Sequence, residues 1–364
     1  MKGGGASEGS VLHFTADWLP ASEVFVYDLI RHLRRPAVVV TSNRLQNTER
    51  FPLPDVHSFV PLYRVVRPGS LRPRIVTAGL GLLARHRHVD LVHVHHGYGV
   101  EHVLGVVRQR RLPLVLSLHG HDVTGYLEHR PDAYQQTIDH VAAVVVPSRF
   151  LVSHALDIGF DPACIHVLPS GVDTTFFSPT SLPDGPPTVL FVGRFVEKKG
   201  IDVLGSAWPA VQAEVPSARL RLLGFGPLEG LARTIPGNVS VELAPDRATV
   251  RDAMRAATVV VSPSHHAPDD AVESLLMVNL EAQASGRPVV TTRHGGIPEY
   301  VRDGETALVV AENDVDALAH ALVRLLQDSD LASRLAAGGP AAVSGLDLHQ
   351  TAARMDALYD GLIG

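Results

Sequence analysis

Residues 188–204 read TVLFVGRFVEKKGIDVL. An apolar run from Thr188 to Val192 ends on Gly193, passes through Arg194, and reaches Lys199 and Gly200 just ahead of an amphipathic stretch that begins near Ile201. A short buried run, a glycine-bounded polar turn and then a helical period are the pattern of a parallel β-strand feeding a helix. The turn also carries chemistry. Gly193 and Gly200 let backbone approach a ligand, the helix start offers N–H groups, and Arg194 and Lys199 flank them. Arginine brings a planar fork and lysine a compact point charge, so the two can neutralise a diphosphate from two sides.

The same alternation extends in both directions. Ahead of this stretch, strands are predicted at 11–14, 38–41, 91–95, 114–118, 144–147 and 166–168; behind it, at 220–223, 239–242, 259–262, 289–292 and 308–310. Helix-length segments fill most gaps. The weakly patterned stretch from Ser42 to Gly69 reads as a loop or short hairpin. Between the two series lies SPTSLPDGPPT, Ser178 to Thr188, whose four prolines no strand or helix interior tolerates, and this is the expected linker. The fold class is therefore α/β: two Rossmann-like βαβ domains, 1–180 and 181–345, facing a central cleft into which the carboxyl ends of both sheets open.

Composition narrows the function. The chain has 364 residues, 45% of them apolar and 19% charged, enough for two cores and too few charges for a disordered chain. Its net charge of −6 gives no support to nucleic-acid binding. The longest strictly apolar stretch, Val141 to Val146, is far short of the ~18 residues of a membrane span, and the start MKGGGASEGS lacks the apolar core of a secretory signal. One cysteine, Cys164, excludes an internal disulfide and fits a reducing, cytoplasmic setting. The first 182 residues hold 15 of the 20 histidines and most of the basic clusters, such as RHLRR from Arg31. That half is the one better suited to an anionic partner.

Three further motifs carry candidate site residues. In ESLLMVNLEAQASGRPVV, Glu273 and Glu281 stand eight apart, with Ser274 and Leu275 delivered to a helix start that includes Leu276 and Met277. On one regular helix the two carboxylates would lie ~12 Å apart along the axis, wider than the ~5–9.5 Å of a glycosidase pair. Such spacing suits one long ligand with hydroxyls at both ends. HGHD places His119, His121 and Asp122 at the end of a parallel strand, where cleft residues lie. HVHHGYG, His93 to Gly99, is an H-x-H at another strand end, with His95 lining the cleft; a metal hydrolase site is the rival reading of this cluster.

The order GRFVEKKG, then LLGFGP with Gly224, then E-x7-E, then GRPVVTTRHGGIPEYV resembles glycosyltransferase family 4, retaining enzymes of GT-B fold. The resemblance covers essentially 189–310. It implies that Arg194 and Lys199 hold a donor diphosphate, that Glu273 binds hydroxyls of the transferred sugar, and that Glu281 binds the nucleotide ribose. Gly193, Gly224 and the backbone from Ser274 to Met277 would complete the donor site. His119 would face the donor sugar. WLPASEVFVYDLI resembles the S-E-x-F pattern of exopolysaccharide-building members, which sets Ser22 and Glu23 beside the cleft with His95, His121 and Asp122. Ser274 stands where the family usually has glycine, and Phe225 where an acid is common. By the same resemblance, a helix over ~346–364 crosses back to the first domain.

The expected activity is a metal-independent transfer of a hexose-type sugar from a UDP- or GDP-sugar to a glycan, lipid-linked or small-molecule acceptor. No cofactor and no metal ion is expected, and the basic front half is compatible with peripheral membrane contact. The rivals are a sugar-nucleotide 2-epimerase of the same fold, a metal-dependent hydrolase built on the HxHH cluster, and a non-catalytic sugar-nucleotide-binding subunit.

Overall fold

The computed structural model describes residues 9–19, 23–59, 71–267 and 272–364. The chain divides into two compact units, residues 1–171 with 348–364, and residues 172–347. The first is built on a seven-stranded sheet: β1 (Ser10–Thr15), β2 (Ala37–Thr41), β3 (Val56–Ser58), β4 (Val89–Val94), β5 (Leu114–Ser117), β6 (Ala143–Val146) and β7 (Ile165–Val167). The strands are ordered β3-β2-β1-β4-β5-β6-β7 and every pair is parallel. The second has six: β8 (Thr188–Arg194), β9 (Arg219–Phe225), β10 (Val239–Leu243), β11 (Val259–Ser262), β12 (Val289–Thr292) and β13 (Ala307–Val310), ordered β10-β9-β8-β11-β12-β13, again all parallel.

Parallel strands need helical crossovers that cover both faces of the sheet, so their residues are apolar in both parities. Val189 and Phe191 enter one core with Trp208 and Leu322, while Leu190 between them enters another with Leu280 and Met254. In each sheet the strand order reverses once, at β1/β4 and at β8/β11. Loops leaving such neighbouring strands run in opposite directions and open a crevice at the carboxyl ends.

One boundary differs from the sequence expectation. The units divide at 171/172 rather than 180/181, with the chain returning to the first unit at 347/348, and the proline-rich stretch expected as the linker belongs to the second unit. Arg287 is the reason. Its guanidinium is fully buried and donates to Met254 O, Arg255 O and Gly286 O within its own neighbourhood, and to Thr180 O, Thr180 Oγ1 and Ser181 O of the proline-rich stretch. Burial and the nearby Arg255 lower its pKa to about 10, so it stays charged at neutral pH. The stretch from Ser42 to Gly69 contains β3, which pairs parallel to β2 rather than closing a hairpin; residues 60–70 lie outside the described residues.

The C-terminal helix Leu348–Ile363 packs on the first sheet, where Met355 and Tyr359 join Val11, Leu91, Val115 and Val145. Asp356 accepts the Arg34 backbone N–H at 3.1 Å, and Asp360 pairs with Arg34 and Arg35.

Arg287→Ala strands the carbonyls that the guanidinium satisfies, and Arg287→Lys keeps the charge without the fork. Each is expected to destabilise the second unit by about 3 kcal/mol or more. Urea unfolding measures this; a loss under about 1 kcal/mol in both variants, the scale of one ordinary hydrogen bond, would show that the stretch is held by something else.

Candidate functional site

The second unit gathers its charges at the β8/β11 reversal. After β8 the chain turns through Arg194 and a 3-10 turn at Glu197–Lys199, then enters the helix Ile201–Glu214 at Gly200. Gly200 has φ +69, and a Cβ there would stand 2.0 Å from Pro263 O at the end of β11, so only glycine lets these two strand ends meet. Glu273 arrives from the loop after β11, and its Oε1 lies 2.7 Å from Lys199 Nζ.

Arg194 is exposed, Lys198 is buried and Lys199 largely so. Burial, with the charges of Lys198 and Arg194, lowers the Lys199 pKa against the opposing pull of Glu273. Burial would raise Glu273, but Lys199 and Lys198 outweigh it and hold the carboxyl below its ordinary range. Lys199 and Lys198 therefore act on one carboxylate and Arg194 on Lys199, and the surplus positive charge is what an anion would neutralise.

Glu273 does not sit on a helix with Glu281. The helix spans Met277–Ala284, so Glu273 to Leu276 run in non-helical backbone ahead of it and the spacing along a single axis does not apply. Ser274 and Leu276 are buried and Leu275 and Met277 half-buried; Leu276 is the N-cap and supplies no side-chain bond to the first turn. Glu281 is half-buried near the helix's other end. Gly224 packs against its neighbour strand, where a Cβ would stand 1.8 Å from Gly193 O. These two glycines thus serve strand packing first.

Two residues that sequence reading passed over complete this region. His294 Nδ1 lies 2.8 Å from Glu312 Oε1, and His294 Nε2 accepts the Glu273 backbone N–H at 3.2 Å. Burial acts to raise the Glu312 pKa, but the His266 N–H and His294 overcome it and hold the carboxyl low. His265, in the loop after β11, is buried, with Nδ1 bound to His266 O.

The first unit gathers a second cluster around its β1/β4 reversal. His119 follows β5 and caps the short helix Gly120–Val123, its N–H donating to Asp122 Oδ2 at 2.8 Å. His96, after β4, stands between Glu23 (3.3 Å) and the fully buried Asp122 (3.8 Å). Burial would lower the His96 pKa, yet bonding and charge from Asp122 and Glu23 push it up to about 10. His119 goes the other way: burial, then the His96 cation, lowers it to about 4. Its ring lies 5.1 Å from Phe25 and 4.9 Å from His96. His121 is exposed beside Tyr98. Ser22 lies outside the described residues, as do Asp269 and Asp270.

His95, expected beside the cleft, is buried and lines a cavity together with His119, Phe25 and Ser117. Period 2 along β4 turns His93 and His95 to the same face, which the C-terminal helix covers, and His13 of β1 is the register partner of His93. All three are buried. His93 meets Tyr359 OH at 2.6 Å and Ser117 Oγ at 2.7 Å, and His13 Nδ1 meets His95 Nε2 at 3.0 Å. Burial holds His93 and His95 well below the ordinary value and His13 at about 3. Their nitrogens converge within 4.8 Å, a spacing that also suits a metal ion; the hydroxyls of Tyr359 and Ser117 already occupy both nitrogens of His93. His96, the next residue on the opposite parity, is the one that reaches the carboxylates.

These opposite environments have opposite pH signatures. An unfolded histidine titrates near 6.5. The depressed rings keep their contribution above that pH and lose it as pH falls towards 4 and 3, whereas that of His96 is fully present below 6.5 and lost as pH rises through about 10. The gap in thermal midpoint between the wild type and His96→Gln is thus expected to be largest at pH 6 and to close towards pH 10. A gap that stays constant over that range would show His96 to be uncharged.

The family described as Glycosyltransferase Family 4 matches residues 22–176, and that described as Glycosyl transferases group 1 matches 186–328. The chain is 33% identical over 227 residues to a putative colanic acid biosynthesis glycosyltransferase of Salmonella typhimurium, covering 59% of this chain and 55% of that one. It is 33% identical to a GDP-mannose-dependent phosphatidylinositol monomannoside mannosyltransferase of Mycolicibacterium smegmatis, covering 62% and 64%. The matched stretch is thus less than two thirds of either relative. A D-inositol 3-phosphate glycosyltransferase of Xylanimonas cellulosilytica is 31% identical, with 92% of this chain and 90% of that one covered. Among solved structures, Anabaena HepE in complex with UDP and glucose superposes with a TM-score of 0.80 at 19% identity, covering 97% and 100%. Sucrose-phosphate synthase of Thermosynechococcus elongatus gives 0.77 at 21%, covering 97% and 99%. The structures share the GT-B fold with this chain, and by sequence the chain belongs to glycosyltransferase family 4.

Proposed function

We propose that this chain is a retaining glycosyltransferase that moves a hexose-type sugar from a UDP- or GDP-sugar to a glycan, lipid-linked or small-molecule acceptor without a metal ion. The observation that carries this reading is the Lys199–Glu273 ion pair at the β8/β11 reversal, with Lys198 acting on both members and Arg194 on Lys199. Two names among the related proteins support a nucleotide-sugar donor: HepE has been solved with UDP-glucose, and the mycobacterial relatives are described as GDP-mannose-dependent.

As the anomeric C–O bond breaks, negative charge grows on the departing diphosphate. Arg194 and Lys199 are fixed cations that stabilise it without reorganising, the work a bound metal does in other transferases. Glu273, ionised and tethered to Lys199, is placed to accept hydrogen bonds from sugar hydroxyls; when diphosphate arrives, Lys199 shares its charge between the two. Glu281 would hold the ribose. In the first unit, His119 is a neutral hydrogen-bonding ring, and Glu23, His96 and Asp122 hold the strand end that carries it. The acceptor binds the first unit, with peripheral membrane contact if it is lipid-linked. Among the described residues no helix is long and apolar enough to cross a membrane.

Lys199→Ala and Glu273→Ala are each expected to cut sugar transfer by about 100-fold, the scale of losing one transition-state donor or one orienting contact. Wild-type rates in either variant would overturn the assignment. In thermal-shift titration, a UDP or GDP series should stabilise the protein equally with and without EDTA; at 100 times its dissociation constant a ligand adds about 2.7 kcal/mol. Stabilisation that vanishes with EDTA would instead make the His13, His93 and His95 cluster the lead. Turnover of the sugar nucleotide to its C2 epimer without acceptor would identify an epimerase.

A further inference from the structure

Glu273 is gripped by its backbone as well as by its side chain. Gly296 N–H donates to Glu273 O at 2.8 Å, and Gly295, at φ +52, approaches so closely that a Cβ would stand 2.1 Å from the same oxygen. On the other side of the residue, Glu273 N–H points to His294 Nε2 at 3.2 Å. A backbone amide can only donate, so Nε2 must be the unprotonated nitrogen and Nδ1 carries the proton. That proton meets Glu312 Oε1 at 2.8 Å. The second oxygen of Glu312 accepts the His266 N–H at 2.8 Å, fixing the carboxylate between the loop after β11 and the loop after β12. His294 itself is 3% exposed, so water does not compete for either nitrogen.

We propose that Glu312, acting through His294, is a positioning residue for Glu273: it selects the ring tautomer and orientation that hold the Glu273 peptide, and so sets where the Glu273 carboxylate meets the sugar. This rests on the assignment of Glu273 to the sugar of the donor. The arrangement is a carboxylate orienting a histidine, which in turn orients a binding group, the way outer partners orient ligands at other sites. Glu312 touches neither diphosphate nor sugar in this reading. Its loss therefore separates two quantities that general unfolding would move together: affinity for the bare nucleotide and affinity for the sugar nucleotide.

The test compares wild type, Glu312→Ala, Glu312→Gln and His294→Gln by calorimetry, with UDP, GDP, UDP-glucose and GDP-mannose as probes. For whichever base the wild type binds, Glu312→Ala should hold the bare nucleotide within about twofold, weaken the sugar nucleotide about tenfold or more and lower kcat to match, as expected for a displaced orienting group. Glu312→Gln keeps an oxygen for His294 Nδ1–H, and His294→Gln keeps one for Glu273 N–H, so both should recover most of the loss. Equal loss of nucleotide and sugar nucleotide, or no loss of either, overturns the proposal.

If the wild type binds none of the probes, the glycosyltransferase reading fails first, and amide exchange then decides the positioning on its own. The Glu273 amide should exchange about tenfold faster in Glu312→Ala than in the wild type, because the ring that accepts it is no longer held in place. Glu305→Ala, which removes an exposed partner of Arg302, serves as the control. Unchanged exchange at Glu273 overturns the proposal regardless of what the protein binds.

Discussion

The ion pair between Lys199 and Glu273 is the constraint around which the second unit is arranged. Its two members come from loops that leave neighbouring strands, β8 and β11, in opposite directions, and only the reversal of strand order brings them face to face. A lysine and a glutamate removed from water cost more than their mutual attraction returns unless other groups share the load. Here Lys198 adds positive charge beside the glutamate, and the His294 to Gly296 turn fixes the glutamate's backbone. Gly200 against Pro263 and Gly295 against Glu273 are the close contacts that let these loops approach. The result is a carboxylate kept ionised inside a positive surround, open to an anion that would complete the balance.

The first unit solves a different problem with the same residue type. Five histidines lie around the ends of β1, β4 and β5, and their charge states are set by what shares their face. His13, His93 and His95 point to the side covered by the C-terminal helix, and burial keeps them neutral. His96, one residue further on and turned the other way, stands between Glu23 and Asp122 and is cationic. Its charge in turn keeps His119 neutral. Tyr359, through its hydroxyl on His93, ties the last helix of the chain to the strand ends that carry the histidines. The crossing of that helix back to the first sheet is therefore part of the site's construction as well as of the fold.

Much of the site was legible in sequence where short-range pattern and chemistry coincide. GRFVEKKG announced a strand, a turn and a helix start with two cations in a single stretch, and each lies where the pattern places it. HGHD marked the end of β5 correctly because parallel strands end abruptly in polar residues. What failed to show were the partners brought in from far along the chain. Glu312 is one acid after β13 among many, and nothing within ten residues of it hints at His294. His13 sits inside an ordinary-looking strand. His95 and His96 are adjacent in sequence and opposite in role, a difference that depends on which face of β4 the C-terminal helix covers.

By itself the sequence determined the α/β class, the two series of parallel strands and the family, because these follow from hydrophobic period and from local runs of charge and glycine. The domain boundary was decided only in three dimensions: a proline-rich stretch reads as a linker until Arg287, more than a hundred residues later, binds its carbonyls into the second unit. Likewise the charge of each histidine, the tautomer of His294 and the non-helical path of Glu273 were decided by tertiary neighbours. The physical reason is common to all of them. Protonation and backbone path respond to burial and to the nearest charge or hydrogen-bond partner, and those neighbours are supplied by the strand order rather than by the order of residues along the chain.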